Sequence, residues 1–158
     1  MIEPAADNDF QSAHASLLIE SFRRLTGRDL LPAGVDADET ARRLYHAPFV
    51  VLSHDTAPDP VFTYANLTAQ RLFEMPWARI VGMASRYSAE PLAREERQRL
   101  LARVASHGYI DDYSGVRVSG TGKRFLVRDA TVWNLVDAAG QVLGQAATFA
   151  DWTAVQEG

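Results

Sequence analysis

"IDDYSGVRVSGTGKRF", residues 110–125, carries three glycines and the chain's only lysine, and near its end stands the pair Gly122-Lys123. Such a stretch is either a loop that cradles phosphate or the turn of a β-hairpin. A phosphate loop spells G-x-x-x-x-G-K-[ST], follows a strand and opens a helix. Here Arg117 stands five residues before Gly122, and Arg124 stands where the hydroxyl residue is needed. Both flanks read as strands, "YIDDYSGVRVS" before and "RFLVRDATVWNLV" after. "SGTGK" is therefore a hairpin turn in which glycine supplies the positive φ. Apolar parity slips within the first strand: Tyr109 and Tyr113 share one face, Val116 and Val118 the other. A bulge at Ser114–Gly115 accounts for the switch. In the second strand (124–136), Phe125, Val127, Thr131, Trp133 and Leu135 fall on one face. Leu126, Ala130, Val132 and Val136 fall on the other, so both faces are expected to be covered. "DAAG" (137–140) is a turn, and "QVLGQAATFAD" is the last strand.

Upstream, "FVVLSHD" (49–55) and "VFTYA" (61–65) are two strands joined by the turn "TAPDP". Asn66 caps a short helix, which reads better than the glycosylation sequon it also spells. Pro76 opens a second helix that Gly82 ends. "EPLAREERQRLLARVASHG" is a longer helix that begins at Pro91, buries Leu100, Leu101 and Val104, and stops at Gly108. Near the N-terminus, residues 10–26 show helical spacing of Phe10, Ala13, Leu17, Leu18, Phe22 and Leu25, with Asp9 as cap and Gly27 as stop. A helix from Asp36, with Glu39 three residues later, buries Ala41, Leu44 and Tyr45 and ends before Pro48. Helix, helix, strand, strand, three helices and three strands give an α+β domain. Its expected core is a five-stranded antiparallel sheet, with helices between strands 2 and 3 and an amphipathic N-terminal helix.

The 158 residues suffice for one domain; hydrophobic content is 47% and charged content 23%, ordinary for a globular protein. No run of 18 apolar residues occurs, and "MIEPAADNDF" lacks a signal-peptide layout, so a cytoplasmic chain without membrane contact is expected. Zero cysteines exclude disulfides, thiolate metal sites and cysteine nucleophiles. The net charge is −4, and the scattered arginines form no basic stripe, so direct nucleic-acid binding is not expected. His14, His46, His54 and His107 show no metal-ligand spacing. No G-x-S-x-G occurs, and Asp111 and Asp112, neighbours in a strand, point to opposite faces. The chain is expected to be non-catalytic.

The wording of the segments "FTYANLTAQRLFEMPW", "SAEPLAREERQRLLARV", "GYIDDYSGVRVSGTGKRF", "ATVWNL" and "GQAATF" resembles the MEKHLA family. This PAS-like group includes small bacterial proteins and the C-termini of plant homeodomain-leucine zipper regulators. The resemblance covers about residues 15 to 152 and implies a sensory or small-molecule-binding module. PAS-like folds hold cofactors between the sheet and the middle helices. The adduct-forming cysteine of some light sensors is absent, and the long middle helix (91–106) lacks the histidine that haem-binding versions use. A non-covalent flavin or another small organic molecule stays open, and no cofactor is named.

Within that expected cavity, the ligand-binding candidates are Trp77, Arg86, Tyr113, Arg117, Asp129 and Trp133, with Tyr64, Tyr87 and Gln145 nearby. Asp129, on the face of Val127 and Trp133, would be costly unless paired, and Arg117 on the preceding strand is its expected partner. Trp77 and Trp133 serve as core packing or as pocket walls. Arg86 either faces the ligand or pairs with Glu90. Residues 1–30 are expected to form a helix that packs on the core or at a homodimer interface, and 31–158 the PAS-like domain. The alternative function is a protein-interaction or dimerisation module with a filled core and no ligand.

Overall fold

The computed structural model describes residues 2–32, 36–89 and 94–155. Five strands pair antiparallel in the order β2-β1-β5-β4-β3: β1 (Val50–His54), β2 (Phe62–Ala65), β3 (Tyr109–Val118), β4 (Arg124–Val136) and β5 (Val142–Phe149). A sixth strand, β6 (Asp151–Ala154), begins where the expected last strand ends. It pairs with the N-terminal half of β4, Phe125 to Arg128, while β5 pairs with the C-terminal half from Thr131 onward. The "SGTGK" stretch is the β3–β4 turn: the Ser119 N–H donates to the Lys123 carbonyl at 2.8 Å, and Gly122 sits at φ 89°.

Helices α1 (Ser12–Thr26) and α2 (Ala37–Tyr45) cover one face of the sheet. The opposite face is covered by α3 (Leu67–Leu72), α4 (Trp77–Ile80), a 3₁₀ turn at Ser85–Ser88 and α5 (Arg94–His107). Helix α1 begins at Ser12, two residues later than its periodicity suggests, and Asp9 does not cap it. Asp9, Phe10 and Gln11 all take left-handed φ near 52°, forming an irregular turn that cannot continue into a helix. Its end is as expected, with Gly27 at φ 72° donating to the Arg23 carbonyl. In α2, the Asp36 carboxylate accepts from the Glu39 N–H at 2.8 Å, while the Glu39 side chain turns to Arg42 and Arg43. Those two guanidiniums hold its carboxyl down to about 2. The expected start of the long helix at Pro91 lies outside the described residues.

Asn66 explains why "ANLT" is structural. Its side chain accepts from the Val51 and Ala69 N–H groups and donates to the Leu44 and Phe49 carbonyls, all within 3.2 Å. A fully buried amide that uses all four of its hydrogen-bonding capacities ties α2, β1 and α3 together.

The phase of β4 differs from the expected one. Asp129 has φ 52° and forms a bulge, at which the β3–β4 register slips between the pairs Tyr113–Ala130 and Gly115–Val127. An extra residue inverts parity. Phe125 and Val127 therefore share their face with Ala130 and Val132, under α3–α5, whereas Trp133 and Leu135 point to α1. The expected irregularity at Ser114–Gly115 falls at this slip, and a second lies between Ile110 and Tyr113.

Candidate ligand site under the middle helices

The α1 face is closed. Trp133 is 0% exposed, its Nε1–H donates to the Leu18 carbonyl at 3.2 Å, and Phe22 packs edge-on at 5.0 Å. Ser21 donates to the Val136 carbonyl and accepts from the Val136 N–H, pinning α1 to β4. His14 lies 3.0 Å from Ser53 Oγ, which in turn lies 2.8 Å from Thr63 Oγ1. Burial pushes the imidazole down to about 4. Trp77 joins Tyr45 and Tyr64 in an edge-to-face aromatic cluster within the same core. Both tryptophans are thus packed with the α1 side and are not walls of the cavity. For Trp133 the reason is the Asp129 bulge.

The other face carries a cavity of about 70 Å³, lined mainly by apolar atoms of β1, β3, β4, β5 and α5, with Phe73 beneath α3. Three polar side chains at its wall matter. Gln145 donates to the Leu101 carbonyl at 3.2 Å and to Asn134 Oδ1 at 3.1 Å, and Asn134 itself donates to the Val104 carbonyl. This amide pair anchors α5 to the sheet but leaves Gln145 Oε1 buried with no hydrogen-bond partner. Tyr113 and Arg117, two positions on either side of Gly115, form the far wall. The Arg117 guanidinium lies over the Tyr113 ring, 5.0 Å from its centre. Among the described residues, no hydrogen bond or ion pair reaches the Arg117 side chain. The residue as a whole is half-buried, but its surroundings are dry enough that desolvation lowers the guanidinium pKa from its usual value.

Of the six ligand-binding candidates, Tyr113 and Arg117 line the cavity together, and so does the neighbouring Gln145. Asp129 does not pair with Arg117. At the bulge it is exposed, and its N–H donates to the Ser114 hydroxyl oxygen at 3.3 Å. Arg86 faces the β1–β2 turn, with Nε 3.3 Å from Asp59 Oδ1 and the guanidinium stacked on Tyr87 at 4.7 Å. At 42% exposure its side chain belongs to the surface, and Glu90 lies outside the described residues. Sequence reasoning missed His54 and Ser88, which also border the cavity, and Gly115. A Cβ on Gly115 would lie 2.3 Å from the Tyr113 hydroxyl, so only glycine lets that ring lie along the strand. The glycine in "YSG" was visible, but nothing local to it announces a ring lying over it. Among the described residues, no group of three or more His, Asp or Glu side chains converges as a metal site, and no helix is long and apolar enough to cross a membrane.

A five-stranded antiparallel sheet in this order, with helices inserted after the second strand, is the PAS-like fold, and solved structures agree. The PAS domain of a protein from Colwellia psychrerythraea is 11% identical, with TM-score 0.60, over 74% of this chain and 94% of that one. A fungal LOV domain photoreceptor is 18% identical, with TM-score 0.58, over 90% of this chain and 91% of that one. The light-state dimer of the fungal blue-light photoreceptor Vivid is 12% identical, with TM-score 0.56, over 82% of this chain and 88% of that one. At these identities the likeness is one of fold. Within that class, residues 12–154 match the MEKHLA domain, and the chain belongs to the MEKHLA family. Comparison with curated protein sequences found no match.

Proposed function

We propose that the protein is a sensory module of the cytoplasm that binds a small organic molecule between its sheet and α3–α5 and performs no chemistry on it. The observation that carries this reading is the buried Gln145 Oε1 at the wall of an apolar cavity. An orphaned buried acceptor costs about 1–3 kcal/mol, and a ligand donor would recover that. Apolar walls with a few convergent polar groups are the usual make-up of small-molecule sites. The reading is supported by the fold shared with the PAS and LOV neighbours, one of which is a photoreceptor. The test is native mass spectrometry of freshly purified protein, followed by the same measurement on Gln145→Leu. A retained organic molecule that Gln145→Leu releases supports binding; a bare chain at every mild ionisation setting overturns it.

A second reading is a ligand-free interaction or homodimerisation module, and the cavity's volume favours it. About 70 Å³ is well below the roughly 300–1,000 Å³ of ordinary ligand pockets. The same spectra separate the two, since this reading requires a clean dimer without added mass.

A further inference from the structure

Next to the small cavity lies an open groove of about 340 Å³ between α5 and β3. Tyr113 and Leu100 line both spaces. One of these two side chains, which border the apolar chamber and the groove alike, is held in an unusual place. The Tyr113 ring lies over Gly115, where any other residue would displace it, and it covers the Arg117 guanidinium. Arg117 has no carboxylate partner among the described residues. A charge in a dry wall normally brings its counter-ion with it.

We infer that cavity and groove are two parts of one site closed by Tyr113, and that the site takes a small organic carboxylate whose charge pairs with Arg117. This rests on the reading that the cavity binds a small molecule, and it names the class. A carboxylate matches the planar guanidinium fork in a two-point contact. In the closed state the Tyr113 ring supplies a weaker cation–π contact to the same guanidinium. An incoming anion replaces that contact with a stronger one, and the displaced ring opens the way to the groove. The apolar body of the ligand then occupies the chamber against Phe73, Val127 and Phe149, while Gln145 Oε1 accepts any donor it carries. Joined, the two spaces reach the size range of ordinary ligand sites.

The test uses the full chain and matched probes: benzoate against benzamide, and 2-naphthoate against 2-naphthamide, titrated by calorimetry and by thermal shift. Carboxylates are expected to bind at least ten-fold more tightly than their amides, and Arg117→Met is expected to abolish that preference. Arg117→Lys is expected to keep part of it. Tyr113→Ala is expected to strengthen 2-naphthoate at least ten-fold while changing benzoate less, because the larger probe needs the joined site. Amides that bind as well as carboxylates, with no effect of Arg117→Met, overturn the anion assignment while leaving ligand binding in place. Failure of both carboxylates to bind overturns it too, whatever mass spectrometry finds. Equal effects of Tyr113→Ala on the two carboxylates overturn the joining of groove and chamber.

Discussion

The two faces of the sheet solve the same problem in opposite ways. Under α1, polar groups come in matched pairs: Trp133 with the Leu18 carbonyl, Ser21 with both backbone groups of Val136, His14 with Ser53 and Thr63. The exception is the Tyr64 hydroxyl, buried without a partner among aromatic edges, a surrounding that raises its pKa. Under α5 the balance reverses. The amides of Asn134 and Gln145 spend their donors on helix carbonyls, and what remains is an orphan acceptor, an unpaired guanidinium and empty volume. Leftover polar capacity beside a void distinguishes a receiving surface from a structural one. The closed face therefore ought to carry stability and the open face ought to carry binding.

The largest expected effect is on the closed face. Trp133→Ala removes a fully buried ring and its hydrogen bond, and should cost about 3–5 kcal/mol in chemical denaturation. A loss under about 1 kcal/mol would show that α1 is not packed on β4 as described, and the contrast between the faces would fall with it.

His14 gives the closed face a pH signature. Its ordinary pKa of 6.5 is pushed down to about 4 in the folded chain by burial. The unfolded state thus binds the proton more readily, and stability falls as pH drops from about 6.5 to about 4, then levels off for this group. A shift of this size corresponds to roughly 3 kcal/mol across the window. His14→Gln should flatten that segment of the stability–pH curve while leaving the region above pH 7 unchanged. A curve with the same slope in both proteins would place the imidazole in contact with water.

Smaller in size is the effect at the bulge that separates the two faces. Asp129 holds φ 52°, which a β-branched residue tolerates poorly. Asp129→Val should cost about 1–2 kcal/mol, and Asp129→Gly should be neutral or slightly stabilising. Equal stability for both would mean that the strand runs straight through this position.

That one residue also marks how far the sequence could be read. Element order, the hairpin at "SGTGK" and the caps at Asp36, Asn66 and Gly27 are local signals, and they are where the spacing put them. Strand alternation puts Tyr113 and Arg117 on one face of β3, and both line the cavity together with Gln145. Beyond the Asp129 bulge parity inverts, so Trp133 faces α1 and Asp129 does not meet Arg117, contrary to simple alternation. A bulge needs no glycine when Asp or Asn adopts the left-handed turn, and "VRDAT" carries no mark that distinguishes it from a continuous strand. β6 lies almost wholly beyond "QVLGQAATFAD", the last stretch with a strand pattern, which ends at Asp151. Arg86 escaped because its Asp59 partner sits on a turn whose approach depends on the fold as a whole.

The smallest effect expected is the most informative about the open face. Arg117 carries a charge that desolvation disfavours and no described carboxylate balances. Methionine has a similar unbranched stem and no charge. In protein free of ligand, Arg117→Met should therefore leave stability within about 0.5 kcal/mol or raise it, because removing an uncompensated cation relieves a cost that the Tyr113 stack only partly offsets. Such neutrality is unusual for a side chain packed against a cavity wall, and it is what a residue kept for an occupant predicts. A loss comparable to that of Trp133→Ala would show that Arg117 holds the sheet together. The open face would then be structural in the same sense as the closed one.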